Sequence, residues 1–172
     1  MHVAKRTVIV LVAFLLLLFA AAFWIRQPSS RPLGKARVLE FPSTLSREEK
    51  IGLLNGDFQM IRKAGDLPPA VRATFTENGG NRLVLADPGG KFNPSDVIWD
   101  SSVPQQRLLF AGIANERSFV HIEQGGRGHT YLIEVFEVRR GFEARPLWFG
   151  YCREPAKNLE ELRSETASGG CS

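Results

Sequence analysis

The sequence predicts an α+β protein: an N-terminal membrane helix, then one or two helices packed on an antiparallel meander of five to six strands. Three observations predict it. An uncharged apolar segment occupies residues 7–25, and a helical apolar periodicity follows Ser46. From residue 78 onward, apolar residues alternate with a period of two between turns rich in Gly and Asn. Helices followed by a run of strands are typical of the α+β class, and we expect them on one face of the sheet.

The apolar segment reads TVIVLVAFLLLLFAAAFWI, 19 residues without a charge. As a helix it would span about 28 Å, which matches the hydrocarbon core of a bilayer. We therefore expect residues 1–25 to form a single-pass signal-anchor, and the alternative is a signal peptide cleaved near Ala22. The short basic tail before the segment favours export. The expected location is the inner membrane with the domain facing the periplasm, or secretion if cleavage occurs.

Residues 26–44 contain three prolines and four basic residues, which is typical of an extended linker. Residues 45–163 would then form one small domain, and the small, polar residues 164–172 a flexible tail. The whole chain has a formal net charge of +4. Because the basic excess lies in the linker and not on one face of the domain, nucleic-acid binding is not expected.

A capping box marks the start of the first helix, with Ser46 as N-cap and Glu49 three residues later. The spacing predicts a helix over 47–64, and Asp66 could cap a second short helix. The apolar face of the longer helix would carry Ile51, Leu54, Phe58 and Ile61.

The strands follow from the alternating segments and the turns between them. The order is similar to that of cystatin-like and nuclear-transport-factor-like (NTF2-like) folds, an analogy of element order that carries no function. We expect strands at 82–86, 96–100, 106–113, 117–123, 129–138 and 145–151, a hairpin loop at 124–128, and a short helix at about 156–164.

The polar cluster that offers the most chemistry is His121, Glu123 and His129. If residue 123 pairs with residue 129 across the loop, the three side chains share one face of the sheet. Two imidazoles and a carboxylate are a workable ligand set for Zn²⁺ or Fe²⁺, so these residues are the candidate metal ligands. The alternative is an exposed polar patch beside a hairpin. No catalytic residue and no other cofactor is assigned.

Glu134 is a second candidate for chemistry because it alternates with Leu132 and Phe136, which indicates a buried position. A buried carboxyl group with a raised pKa can act as a general acid. The alternative is an ion pair with Arg107 or Arg117, or a solvent-facing position.

Cys152 and Cys171 lie 19 residues apart. In an oxidising compartment they could form a disulfide that pins the C-terminal residues. A loop of this size would contribute about 3 kcal/mol in the entropic model. The alternative is a buried Cys152 with a free Cys171.

Together these patterns predict a membrane-anchored protein with a small extracytoplasmic binding or scaffold domain. They favour a non-enzymatic role over an enzymatic one. Arg outnumbers Lys sixteen to six, a compositional habit of GC-rich bacterial genomes. The expected partners are the membrane, through residues 7–25, and a protein that meets a sheet edge. The alternative is a small exported metal-dependent or hydrolytic enzyme that uses His121, Glu123 and His129.

Overall fold

The computed structural model describes residues 45–76, 82–98, 100–139 and 143–172, which all belong to one compact unit. The predicted membrane segment and linker lie outside these described residues. Within the described ranges, no helix is both long and apolar enough to cross a membrane.

The predicted α+β class is confirmed: helices accompany a six-stranded sheet that is antiparallel but for one short pairing. The α-helices are α1 (Arg47–Leu54), α2 (Pro69–Thr74) and α3 (Leu159–Ser168), and a 3-10 helix spans Ala64–Asp66. The strands are β1 (Gln59–Ile61), β2 (Leu85–Ala86), β3 (Gln106–Ala114), β4 (Arg117–Gln124), β5 (Thr130–Arg139) and β6 (Glu143–Cys152).

The sheet has the strand order β1-β3-β4-β5-β6, and β2 pairs in parallel with the start of β3. The four long strands form the predicted meander and end within two residues of the expected positions. The strand predicted at 96–100 is wrong. Asp100 there accepts hydrogen bonds from the backbone N and the Oγ of Ser102, which closes a turn.

The capping box is present, but the helix predicted over 47–64 ends at Leu54. Its C-cap Asn55 is extended, with φ of −77° and ψ of 133°, and Gly56 follows with φ of 142°, a conformation that favours glycine. The chain then enters β1, so the predicted apolar face is divided: Leu54 packs on one side of the sheet and Ile61 on the other.

Helices cover both faces of the sheet, which corrects the expectation of helices on one face. We call the two sides the α1/α3 face and the α2 face. Strand β4 is buried along most of its length because both sides are covered. The core of the α1/α3 face contains Leu54, Phe110, Phe119, Ile133, Val135, Trp148, Cys152, Ala156, Leu162 and Cys171. The core of the α2 face contains Ile61, Ala64, Leu67, Val71, Phe75, Leu85, Leu108, Ala111, Val120, Ile122, Leu132 and Phe136.

The structure differs from the expected flexible tail at residues 164–172. Helix α3 continues to Ser168, and Gly169 ends it with φ of 80°. The chain then turns back, and Tyr151 and Ser172 exchange two backbone hydrogen bonds of 2.9 and 3.0 Å. The C-terminal residues therefore pair with the end of β6.

Candidate functional site

The pairing of β4 with β5 places the predicted polar cluster. Glu123 pairs with Tyr131, whereas the expected partner was residue 129, so the predicted register is wrong by two residues. Because side chains alternate with a period of two, a two-residue shift leaves every side chain on its face. Glu123 and His121 therefore still share the α1/α3 face, and His129 reaches Glu123 from the hairpin loop.

Glu123 is the centre of an ionic cluster with Arg107 and His129, which we call the Glu123 cluster. Arg107 donates to Glu123 Oε2 from Nε, at 2.8 Å, and also from Nη2. His129 Nε2 lies 2.5 Å from Glu123 Oε1. The side chain of Glu123 is 7% exposed, against 26% for Arg107 and 44% for His129. A buried carboxylate with charge-assisted partners on both oxygens holds an accessible imidazole in a fixed orientation.

A β-bulge brings Arg107 into this cluster. The Asn115–Glu116 turn joins β3 to β4, and uninterrupted pairing from it would place Arg107 opposite Gln124. The register shifts at Leu109, so that Arg107 faces Glu123 instead. Sequence reasoning missed this partner because the bulge moves Arg107 to the other face of the sheet.

Aromatic side chains surround the Glu123 cluster. The Arg107 guanidinium lies 4.4 Å from the ring centroid of Phe92, an arrangement that favours a cation–π contact. The ring centroid of His129 lies 6.2 Å from that of Phe92 and 5.3 Å from that of Tyr131. Phe92 and Arg107 also line a shallow groove of about 490 Å³. The cluster therefore combines a fixed imidazole with an aromatic wall.

The loop that carries Phe92 is held by Asn93, which is buried. Its Nδ2 donates to the backbone oxygens of Asp100, at 3.0 Å, and Val103, at 2.9 Å. The loop crosses closely over Gly125, where a Cβ atom would lie 1.9 Å from the Asn93 oxygen. Sequence reasoning missed this contact because it joins two loops that are distant in the chain.

His121 is separated from the other two candidate ligands by its own hydrogen bonds. Its side chain is fully buried, Nδ1 lies 2.8 Å from Leu132 O, and Ala156 N donates to Nε2 at 3.1 Å. Nε2 is therefore an acceptor, and Nδ1 carries the proton that it donates to Leu132 O. Burial lowers the pKa of His121 to about 4. The imidazole is thus a neutral link between β5 and the segment before α3.

The three candidate metal ligands are consequently not gathered around one point. Glu123 and His129 are in contact, while both nitrogens of His121 are bonded to the backbone. Across the described ranges, no group of three or more His, Cys, Asp or Glu side chains is arranged to hold a metal ion.

Glu134 lies on the α2 face and is 8% exposed. Its cross-strand neighbours are Val120 and Phe149, and burial raises its pKa to about 7. The ion pair predicted with Arg107 or Arg117 is wrong. Arg107 binds Glu123, and Arg117 donates to backbone oxygens of residues 52, 53 and 55.

The structure joins Cys152 and Cys171 by a disulfide in the core of the α1/α3 face. The two residues are also a bridge pair between β6 and the C-terminal segment. The disulfide therefore adds a covalent link to the backbone pairing of Tyr151 with Ser172.

No protein-family model, no curated protein and no solved structure matches this chain. Function is therefore inferred from the contacts, burial and charge of its own residues.

Proposed function

We propose that this chain is a single-pass inner-membrane protein whose α+β domain acts as a binding or scaffold module in the periplasm. Residues 7–25 would anchor it and residues 26–44 would tether it. The observation that carries this placement is the disulfide between Cys152 and Cys171, because disulfides persist in oxidising compartments and are rare in the cytosol. A secreted form, cleaved near Ala22, is the alternative for the same domain.

The binding role is supported by apolar side chains that remain exposed, two of which, Met60 and Ile98, line grooves. Met60 lies on β1, which is only three residues long, and lines a groove of about 680 Å³ with Pro68, Pro69 and Ile113. An extended partner segment that paired with β1 would place alternate side chains in this groove. The exposed large apolar side chains of the described ranges are Met60, Val97, Ile98 and Tyr151.

A reporter fusion tests the location. A reporter that is active only outside the cytoplasm, fused after residue 172, should be active, and a cytoplasmic reporter at the same position should be silent. In intact cells, Cys152 and Cys171 should resist thiol alkylation until a reductant is added. Activity of the cytoplasmic reporter alone, together with freely alkylated thiols, would overturn the proposed placement.

Crosslinking tests the binding role. The full chain, extracted in mild detergent after crosslinking, should yield a defined partner by mass spectrometry. Met60→Glu should reduce the yield of that partner if it binds along β1, while Glu137→Gln, on β5, should leave it unchanged. A wild-type chain that captures no partner in a periplasmic location would contradict a binding role.

The second candidate is a small exported metal-dependent or hydrolytic enzyme, and the contact between Glu123 and His129 favours it. A buried carboxylate that orients an accessible imidazole is a recurring arrangement in metal sites and in general base catalysis. Elemental analysis of the purified chain should then find a stoichiometric metal that His129→Ala removes. His129 is the residue to change, since His121 is bonded to the backbone through both nitrogens.

A further inference from the structure

Glu134 is a largely buried residue whose carboxyl group has no partner among the described residues. It lies in the middle of β5 on the α2 face, 8% exposed, with Leu132 and Phe136 beside it along the strand. In the part of the chain that the structure describes, its carboxyl group has no hydrogen bond and no ion pair. Buried carboxylates in folded proteins are almost always paired or hydrogen-bonded. The oxygens of Glu134 are not among the fully buried, unpaired polar atoms of the described ranges, so the carboxyl group keeps some contact with the surface, where a partner from outside the chain can meet it.

An exposed aromatic ring lies on the same face of the neighbouring strand. Phe149 is directly opposite Glu134, and Tyr151 is directly opposite Leu132. The rings of Phe149 and Tyr151 are in edge contact, with centroids 5.0 Å apart, and Tyr151 is 56% exposed. The carboxyl group and the aromatic pair thus lie on the same face of two neighbouring strands, of which β6 is the outer one.

We propose that Glu134 and Tyr151, with Phe149 between them, bind the ammonium group of a lysine side chain presented by a protein partner. Both a carboxylate and the face of an aromatic ring attract a cation. An ammonium group is compact and carried on a slender stem, so it can reach a carboxylate that is nine-tenths buried, whereas a guanidinium needs a wider opening. The methylene groups of the stem would pack along the aromatic rings.

The position of the site in the sheet favours a protein partner over a free amine. Strand β6 is the last in the strand order, and among the described residues its outer side is paired near its end, where Tyr151 and Ser172 exchange backbone hydrogen bonds. A chain that passes along this edge would carry its side chain over Phe149 toward Glu134. The cation of the covering helix α2, Arg72, donates to Gly65 O, so it is engaged elsewhere. This inference names a ligand chemistry for the proposed binding module and rests on that proposed function.

Titration of the full chain in nonionic detergent at pH 8 tests the site, followed by the amide NMR signals of residues 132–136 and 149–151. The probes are an acetylated and amidated Gly-Lys-Gly peptide, its norleucine analogue, and n-butylammonium chloride. The lysine peptide should bind saturably with a Kd of about 1 mM, and the norleucine peptide should not bind. Butylammonium should bind more weakly than the lysine peptide because it lacks the flanking backbone.

Single substitutions test which residues bind the lysine peptide. Glu134→Gln should weaken lysine-peptide binding by about tenfold or more, and Tyr151→Ala by about threefold. Glu137→Gln is the matched control, since its carboxylate lies on the same strand but is bonded to Arg139 and Arg145. It should bind as the wild type does.

Three results would overturn the proposal: equal binding of the norleucine peptide, undiminished binding by Glu134→Gln, or butylammonium binding as tightly as the peptide. The third would assign the site to a free amine. A crosslinked partner that Glu134→Gln still captures would remove this inference and leave the proposed function intact. A reporter that is active only in the cytoplasm, together with unchanged binding of the lysine peptide, would overturn the proposed function and leave this inference intact.

Discussion

His121 and Glu134 are both buried in the centre of the sheet, but they lie on opposite faces and differ in hydrogen bonding. On the α1/α3 face, each ring nitrogen of His121 is bonded to the backbone, and both oxygens of Glu123 have charged or imidazole partners. On the α2 face, Glu134 has no such partner among the described residues. The same sheet therefore holds one polar group that fixes the fold and one that costs stability.

The difference separates a structural residue from a candidate binding residue. A buried polar group with all its hydrogen bonds stabilises the fold, and a buried carboxylate without them destabilises it. The α1/α3 face also contains a buried polar atom that destabilises the fold, because Trp148 Nε1 has no hydrogen-bond partner in the described ranges. That atom is neutral, however, and an ionised carboxylate costs far more to bury. The ionised group is thus the stronger indication of an external ligand.

The largest expected effect on stability comes from replacing His121 on the α1/α3 face. His121→Ala removes the acceptor of Ala156 N and opens a cavity in the core, so it should lower the free energy of unfolding by about 4 kcal/mol. Urea unfolding of the full chain in nonionic detergent at pH 8 measures this loss. His129→Ala, a change of the same residue type at an exposed position, is the control. A loss below about 1 kcal/mol for His121→Ala would contradict a structural role.

The second prediction concerns the covalent link on the same face. The double variant Cys152→Ser with Cys171→Ser should lower the free energy of unfolding by about 3 kcal/mol, since a 19-residue loop is then open in the unfolded state. The wild type unfolded with and without a reductant should show the same difference. If the reductant leaves the urea midpoint unchanged, the disulfide does not stabilise the domain.

The third prediction uses pH to separate the two faces. The pKa of His121 is about 4 in the folded chain against an ordinary 6.5, so its contribution is lost as pH falls from about 6.5 to 4. The pKa of Glu134 is about 7 against an ordinary 4.5, so its contribution is lost as pH rises from about 4.5 to 7. Each shift corresponds to about 3 kcal/mol, and the two slopes oppose each other between pH 4.5 and 6.5.

Glu134→Gln should therefore leave the titration of His121 as the larger cause of the pH dependence of the free energy of unfolding. We expect the variant to be more stable than the wild type by about 3 kcal/mol at pH 8 and equally stable near pH 4. Urea unfolding across this pH range measures it. Glu137→Gln is the control, because the hydrogen bond from Arg145 lowers the pKa of Glu137 and its removal should not stabilise the chain at pH 8. A Glu134→Gln variant no more stable than the wild type at pH 8 would show that the carboxyl group is satisfied.

The sequence was sufficient to predict the meander because its strands alternate regularly and its turns contain the expected residues. The faces of His121 and Glu123 were also predictable. Although the β4–β5 register was misplaced by two residues, an even shift does not exchange faces. Glu134 was expected at a buried position because Leu132 and Phe136 lie on either side of it, and it is buried.

The remaining features depend on contacts that no local pattern carries. The bulge at Leu109 decides which face Arg107 occupies, and nothing in the alternation of β3 marks it. His121 is a polar residue in a strand, so its burial could not be predicted without knowing that Ala156 meets it. The predicted helix over 47–64 ends early because Asn55 is extended and Gly56 has a positive φ, and these two backbone conformations outweigh the apolar periodicity.

The smallest expected effect on stability comes from replacing His129 in the Glu123 cluster. His129 is 44% exposed, and Glu123 keeps two hydrogen bonds from Arg107 when the imidazole is removed. His129→Ala should therefore lower the free energy of unfolding by less than about 1 kcal/mol, as for other exposed pairs. Urea unfolding at pH 8 measures the change beside His121→Ala. A loss as large as that of His121→Ala would mean that Arg107 alone does not stabilise the buried carboxylate of Glu123, which would then be as costly to bury as that of Glu134.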